Sequence, residues 1–177
     1  MAISIERGAL GNVAHPAYGV VEPNHLSAPR SGGVYGQLPA AAGIKVLENG
    51  QFVKYDYAND EVNFTGEGPW MLVFNEEKLY DERYQMHRDY AQKVSDYYDG
   101  KMYPRVFRPA LGDIYTTNCL ADGTYKVGDA VQPGSDGLLA AVSGDFDDLV
   151  GLTYKVVKEY TLPDGQPAVK LQCVKVD

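Results

Sequence analysis

The densest group of side chains able to do chemistry is Asp145-Phe146-Asp147-Asp148, three carboxylates within four residues. Carboxylates at that density suit a hard cation such as Ca²⁺, which takes about six to eight oxygen ligands. The group lacks the Asp-x-Asp-x-Asp-Gly…Glu spacing of a calcium loop. It therefore reads as a solvated turn, with a cation on Asp145, Asp147 and Asp148 as the alternative. Glu61 with Glu67, and Asp96 with Asp99, have the residue types for acid–base catalysis, but nothing in the spacing sets their separation. His15, His25 and His87 show no metal-ligand spacing, and neither Cys-x-x-Cys nor His-Glu-x-x-His occurs. Gly-x-Ser-x-Gly, Walker and Gly-x-Gly-x-x-Gly patterns are absent. Gly32-Gly33-Val34-Tyr35-Gly36 is glycine-rich but does not join a strand to a helix. The expectation is a protein that is not an enzyme, with no catalytic residue, no cofactor and no metal.

Cys119 and Cys173 each lie in a stretch that reads as a strand. They can pair only if those strands are neighbours with suitable geometry. Isolated in this way, they read as buried free thiols.

The elements that would position such groups are mostly strands. The chain has 177 residues, 45% hydrophobic and 23% charged, enough for one domain or two small ones. Its net charge is −8, which disfavours nucleic acid as a partner because that affinity needs a basic face. No run approaches the roughly 20 apolar residues of a membrane span, so no membrane partner is expected. Met1-Ala2-Ile3-Ser4-Ile5-Glu6 lacks the basic and apolar regions of a signal peptide, so synthesis in the cytoplasm is expected. Aromatic usage is skewed, with 14 Tyr against 5 Phe and 1 Trp. Tyr has an apolar ring and a hydroxyl that needs a partner, which suits half-wet interfaces.

Residues 1–43 hold seven Gly and four Pro, and their four charges cancel. They also carry apolar groups that need cover, among them Ile3, Ile5, Leu26 and Leu38. The segment reads as an extended N-terminal arm ordered on a partner or sister subunit; the alternative is a loop-rich region folded onto its own domain. Residues 44–103 read as a central β region. Ile44–Leu47 and Phe52–Tyr57 flank Asn49-Gly50, a type I′ hairpin signal. Val62–Thr65 follows, and Trp70–Phe74 is a continuous apolar run that reads as a buried strand with Trp70 as a core anchor. Residues 76–99 form the helical candidate: Leu79, Arg83, Met86, Tyr90, Val94 and Tyr97 recur at 3–4 spacing, with Asn75 as N-cap and Gly100 past the end. Six tyrosines (80, 84, 90, 97, 98 and 103) crowd this region, too many for a dry core. Residues 104–177 read as short strands and turns of a small β-barrel or sandwich. Within Val169–Cys173 and beyond, Val174 and Val176 fall out of phase, which suggests a bulge or a strand buried on both faces. The fold class expected is mainly β.

Charge is unevenly spread, with the excess of acid confined to residues 45–177 and one basic stretch at Lys101-Met102-Tyr103-Pro104-Arg105-Val106-Phe107-Arg108-Pro109. Contact with an acidic protein surface, or plain solvation, is the expectation for it.

Three stretches carry a resemblance. Trp70 to Arg83, then Gly112-Asp113-Ile114-Tyr115-Thr116-Thr117-Asn118 with Lys126-Val127-Gly128-Asp129-Ala130-Val131, and Leu162 to Leu171 are similar, in that order, to small head proteins encoded beside tailed-phage capsid genes. The resemblance covers residues 70–171 with gaps and does not reach residues 1–43. It implies a virion structural protein, a decoration (cement) or auxiliary head protein of a bacteriophage. Members of that class commonly form trimers or bind at capsid symmetry points. The major capsid protein is then the expected partner, with a homotrimer as the expected assembly and the virion as the location. Candidate contacts are Tyr18, Tyr35 and Leu38 in the arm and Tyr80, Tyr84, Tyr97 and Tyr98 around the helix candidate. Arg105 and Arg108 would pair with capsid carboxylates. The alternative is a glycan-binding β-module for a head fibre or host-surface attachment, because Tyr and Trp on sheets also stack sugars.

Overall fold

The structure, a computed structural model, describes residues 2–5, 19–27, 33, 38–75, 91–162 and 165–176. Its strands run in chain order β1 (Ile3–Ile5), β2 (Val21–His25), β3 (Val46–Glu48), β4 (Phe52–Asp56), β5 (Glu61–Asn63), β6 (Trp70–Val73) and β7 (Ala91–Lys93). They continue as β8 (Val106–Phe107), β9 (Ile114–Thr117), β10 (Gly123–Tyr125), β11 (Ala130–Pro133), β12 (Leu139–Val142), β13 (Thr153–Thr161) and β14 (Pro167–Lys175). The fold is mainly β, as the turn spacing predicts. A six-stranded antiparallel sheet has the order β12-β11-β13-β14-β9-β2, and a four-stranded one the order β5-β4-β6-β8. Two short pairs, β1–β10 and β3–β7, complete the described sheets. Between the barrel and sandwich forms expected for residues 104–177, no closed barrel is found among the described residues.

The apolar run at Trp70–Phe74 has a direct physical reason. Side chains alternate faces along a strand, and here both faces are buried. Phe52, Leu72, Phe74 and Phe107 enter one cluster with Tyr115, Val131, Leu139, Tyr154, Val156, Val169 and Leu171 of the six-stranded sheet. Val53, Met71, Val73 and Val106, their sequence neighbours, enter a second cluster with Leu47, Val62 and Met102. The four-stranded sheet is thus the layer between two cores, which removes polar positions from its central strand. Trp70 packs half-buried against the first cluster, in keeping with its reading as an anchor.

The phase slip at Val174 is a bulge. Thr153 faces Lys175 while the next residue, Tyr154, faces Cys173, so Val174 is the extra residue of β14. A second irregularity, at Val157 of β13, has no counterpart in the sequence pattern.

The Asn49-Gly50 turn forms, but not as a hairpin. A type I′ turn needs positive φ at both central residues, and only Gly50 has it, with φ 94. The strands on either side part company: β3 pairs with β7, whereas β4 pairs with β5 and β6. Backbone bonds dock the turn on β6 instead, with Gly50 N–H donating to the Val73 carbonyl at 3.0 Å.

The helix expected over 76–99 is corrected in its described part. Ala91–Lys93 is a strand and Val94–Asp96 a single 3₁₀ turn. The pairing of β7 with β3 satisfies backbone groups that local 3–4 spacing cannot see, and the Val94 N–H extends it by donating to the Lys45 carbonyl at 3.0 Å. The side-chain oxygen of Asn75, the expected N-cap, accepts the Arg105 N–H at 3.0 Å. Residues 76–90 lie outside the described residues.

Two stretches of residues 1–43 are built into the chain's own sheets, which is the alternative to an arm reaching outward. β1 pairs with β10 and β2 with β9. Ile5 and Leu26 are each only 4% exposed in the main core. The Val20 N–H donates to Asn118 and the Ser27 N–H to Asp113, at 2.7 and 2.9 Å. Ile5→Ala and Leu26→Ala should each cost about 2–4 kcal/mol in urea unfolding of the isolated protein. Changes under about 0.5 kcal/mol would mean that these stretches leave the core in solution.

Candidate partner-binding surface

The basic stretch 101–109 owes its character to strand-like alternation. Met102, Pro104 and Val106 point inward and are buried, whereas Lys101, Tyr103 and Arg105 are exposed. Phe107 is buried too, and Arg108 returns to solvent. The interleaving of cations with apolar residues is therefore one extended segment seen from two sides, presenting a cation, an aromatic and a cation in a row.

Neighbours on both sides hold this backbone. The Ala40 N–H donates to the Met102 carbonyl at 2.7 Å. The Gln92 amide reaches the Tyr103 carbonyl at 3.4 Å, and the Phe74 N–H donates to the Arg105 carbonyl at 2.8 Å. A pinned backbone lets exposed side chains bind with less ordering entropy than a loose loop would.

Of the residues expected at a partner interface, five can be placed. Leu38 and Tyr97 are half-buried against the second core, which also carries half-buried Ala40, Ala41, Tyr55, Phe64 and Val94 at its rim. Tyr98 is fully exposed one residue on from Tyr97. Arg105 and Arg108 are exposed. Leu38, Tyr97 and the 101–105 row are brought together by the Ala40–Met102 bond and the shared second core. Tyr18, Tyr35, Tyr80 and Tyr84 lie outside the described residues.

The sequence reading places Lys101 and Tyr103 in the basic stretch but leaves them off the contact candidates; Tyr103 is 39% exposed. The signal was present, since Met102, Pro104 and Val106 alternate with them. It also missed Tyr57, exposed with its ring edge-on to Tyr55, centroids 5.5 Å apart. Tyr usage has a second cause that composition hides. Tyr115, Tyr125 and Tyr154 are among the largest fully buried side chains.

The other candidate groups separate. Cys119 and Cys173 are both buried, and no disulfide joins them. Burial, reinforced by the charge of Asp113, pushes the Cys173 thiol up to about 12, which keeps it protonated and unreactive. Asp145, Asp147 and Asp148 are exposed. Among the described residues no three His, Cys, Asp or Glu side chains gather as a metal site. Trp70 carries the Lys54 ammonium 4.8 Å from its ring centroid, so a stacking sugar would have to displace a cation–π contact. Among the described residues no helix is long and apolar enough to cross a membrane.

Comparisons with protein-family models, with curated proteins and with solved structures return no match for this chain.

Proposed function

We propose that this chain is a virion structural protein that decorates a tailed-phage capsid, binding across neighbouring subunits of the major capsid protein and raising the barrier to shell rupture. The observation that supports this reading best is the pinned, exposed row Lys101–Tyr103–Arg105, with fully exposed Tyr98 three residues before it in the chain. Tyr and Arg are residue types that dominate binding energy at protein interfaces, and cations in a row complement an acidic protein surface. The ordered resemblance over residues 70–171 names the partner class. The role is mechanical: a protein that binds the assembled shell, and not its separated subunits, stabilises the shell by mass action. Assembly as a homotrimer would engage several sites at once and raise the effective concentration at each.

The double variant Tyr103→Ala/Arg105→Glu tests the surface. Both side chains are exposed, so unfolding stability should change by less than about 1 kcal/mol. Occupancy on assembled capsids should fall at least tenfold, corresponding to about 1.4 kcal/mol or more. Unchanged occupancy in the folded variant would place the interface elsewhere.

A further inference from the structure

The segment Asp145–Leu149 closes on itself, with the N–H groups of Asp148 and Leu149 donating to the Asp145 carbonyl at 3.0 and 3.3 Å. Three of its carbonyls, those of Phe146, Asp147 and Leu149, accept from one ammonium, Lys175 Nζ, at 3.3 Å, 3.0 Å and close range. An ammonium has three protons, and this arrangement uses all of them on main-chain oxygens. Lys175 is the last residue of β14 and lies opposite Thr153 of β13. A second lysine, Lys155 of β13, sits 5.7 Å from the Phe146 ring centroid. The three carboxylates stay exposed, so the loop meets its cation through carbonyls and keeps its acids outside.

Carbonyl dipoles aimed at one point repel each other unless positive charge sits there. We propose that the 145–149 loop is a monovalent-cation loop whose ion is supplied in cis by Lys175, so that its order depends on charge at that point and not on side-chain packing. The ligand class that fits the same oxygens, once the lysine is shortened, is a small monovalent cation such as ammonium or potassium. The acidic run thus carries a cation, but one built into the chain.

Hydrogen exchange at the Asp148 and Leu149 amides reads the loop directly, because both donate to Asp145. Lys175→Ala opens a space without charge, and Lys175→Met fills it without charge. In choline chloride both variants should lose protection at these two amides at least tenfold. Ammonium or potassium chloride at matched ionic strength should restore protection in Lys175→Ala and not in Lys175→Met. Protection at Val169 and Leu171, in the middle of β14, monitors the fold in every sample. Wild-type protection of Lys175→Ala in choline would overturn the proposal. So would equal loss in both variants with no response to ammonium or potassium, since the lysine would then act as a packing tether.

Discussion

Gly137→Ala should destabilise the protein by about 3 kcal/mol or more, far beyond the effect of an ordinary loop substitution. Gly137 sits in the turn between β11 and β12 with φ 76, a region that costs a residue with a Cβ about 1–2 kcal/mol. Here there is also no room. A Cβ would overlap the Phe52 carbonyl oxygen and come within 2.9 Å of the Phe64 ring. Relief by movement would break the bond from the Phe52 N–H to the Gly137 carbonyl, 2.8 Å long, which ties this turn to β4. That bond links the six-stranded sheet to the four-stranded one, and its loss adds about 1 kcal/mol. Gly128→Ala is the control: its φ is 99, but nothing lies within 4 Å of the added carbon. It should cost only the conformational strain, about 1–2 kcal/mol. Equal midpoint shifts for the two variants in urea would contradict the close approach of the sheets.

Stability should fall steeply between about pH 10 and 12. Tyr115 and Tyr154 stand edge-on in the main core, ring centroids 5.5 Å apart. Their hydroxyls are close enough to influence each other's ionisation, yet neither has a partner at hydrogen-bond geometry among the described residues. Burial holds both phenols well above the usual 10.0, with the nearby Asp113 carboxylate acting in the same direction. Tyr125 is also raised, to about 12, chiefly by burial.

A raised phenol pKa means that the folded state keeps protons which the unfolded chain releases. The stabilisation is complete below the unfolded pKa and is lost as pH climbs from there through the folded pKa. For the Tyr115–Tyr154 pair the loss is roughly 3 kcal/mol per pH unit above pH 10. Two such units remove about 5–6 kcal/mol, enough to exhaust a total stability at the lower end of the usual range of about 5–15 kcal/mol. Circular dichroism and tyrosinate absorbance, followed together against pH, check this: the buried tyrosines should ionise only as the fold is lost. Tyr115→Phe/Tyr154→Phe should cost less than about 1 kcal/mol at pH 7, because no hydrogen bond is removed. It should also remove the pair's share of the alkaline slope. Titration of these tyrosines near pH 10 in a folded protein would contradict their burial.

The parts of the fold legible in the sequence are those where one strand carries its own reason. Trp70–Phe74 reads as a buried strand because both faces are covered, and Val174 announces its bulge by falling out of phase. The strands that escaped notice are short and take their identity from a partner. β2 contains Pro23 and no alternation, and it is a strand because β9 offers it an edge. β8 is two residues long between Pro104 and Pro109. β7 lies in a stretch whose 3–4 spacing suits a helix, and tertiary pairing with β3 overrides that local preference. Asn49-Gly50 makes its turn, yet long-range pairing decides where the two flanking strands go.

The candidate surface was legible in the same partial way. Arg105 and Tyr98 stand out by type and are exposed, while Lys101 and Tyr103 join them through an alternation that begins before any assigned strand. The high tyrosine count pointed outward, but Tyr115, Tyr125 and Tyr154 fill the core, because a strand-rich interior takes large flat rings as readily as an interface does.

Rate-zonal sedimentation of the purified chain with shells assembled from a tailed-phage major capsid protein, the proposed partner, is the direct test of capsid decoration. The chain should migrate with intact shells at a fixed, saturable ratio and stay behind when only dissociated capsid subunits are present. A chain that remains at the top of the gradient at every concentration, while the shells run intact below it, would contradict a role in capsid decoration.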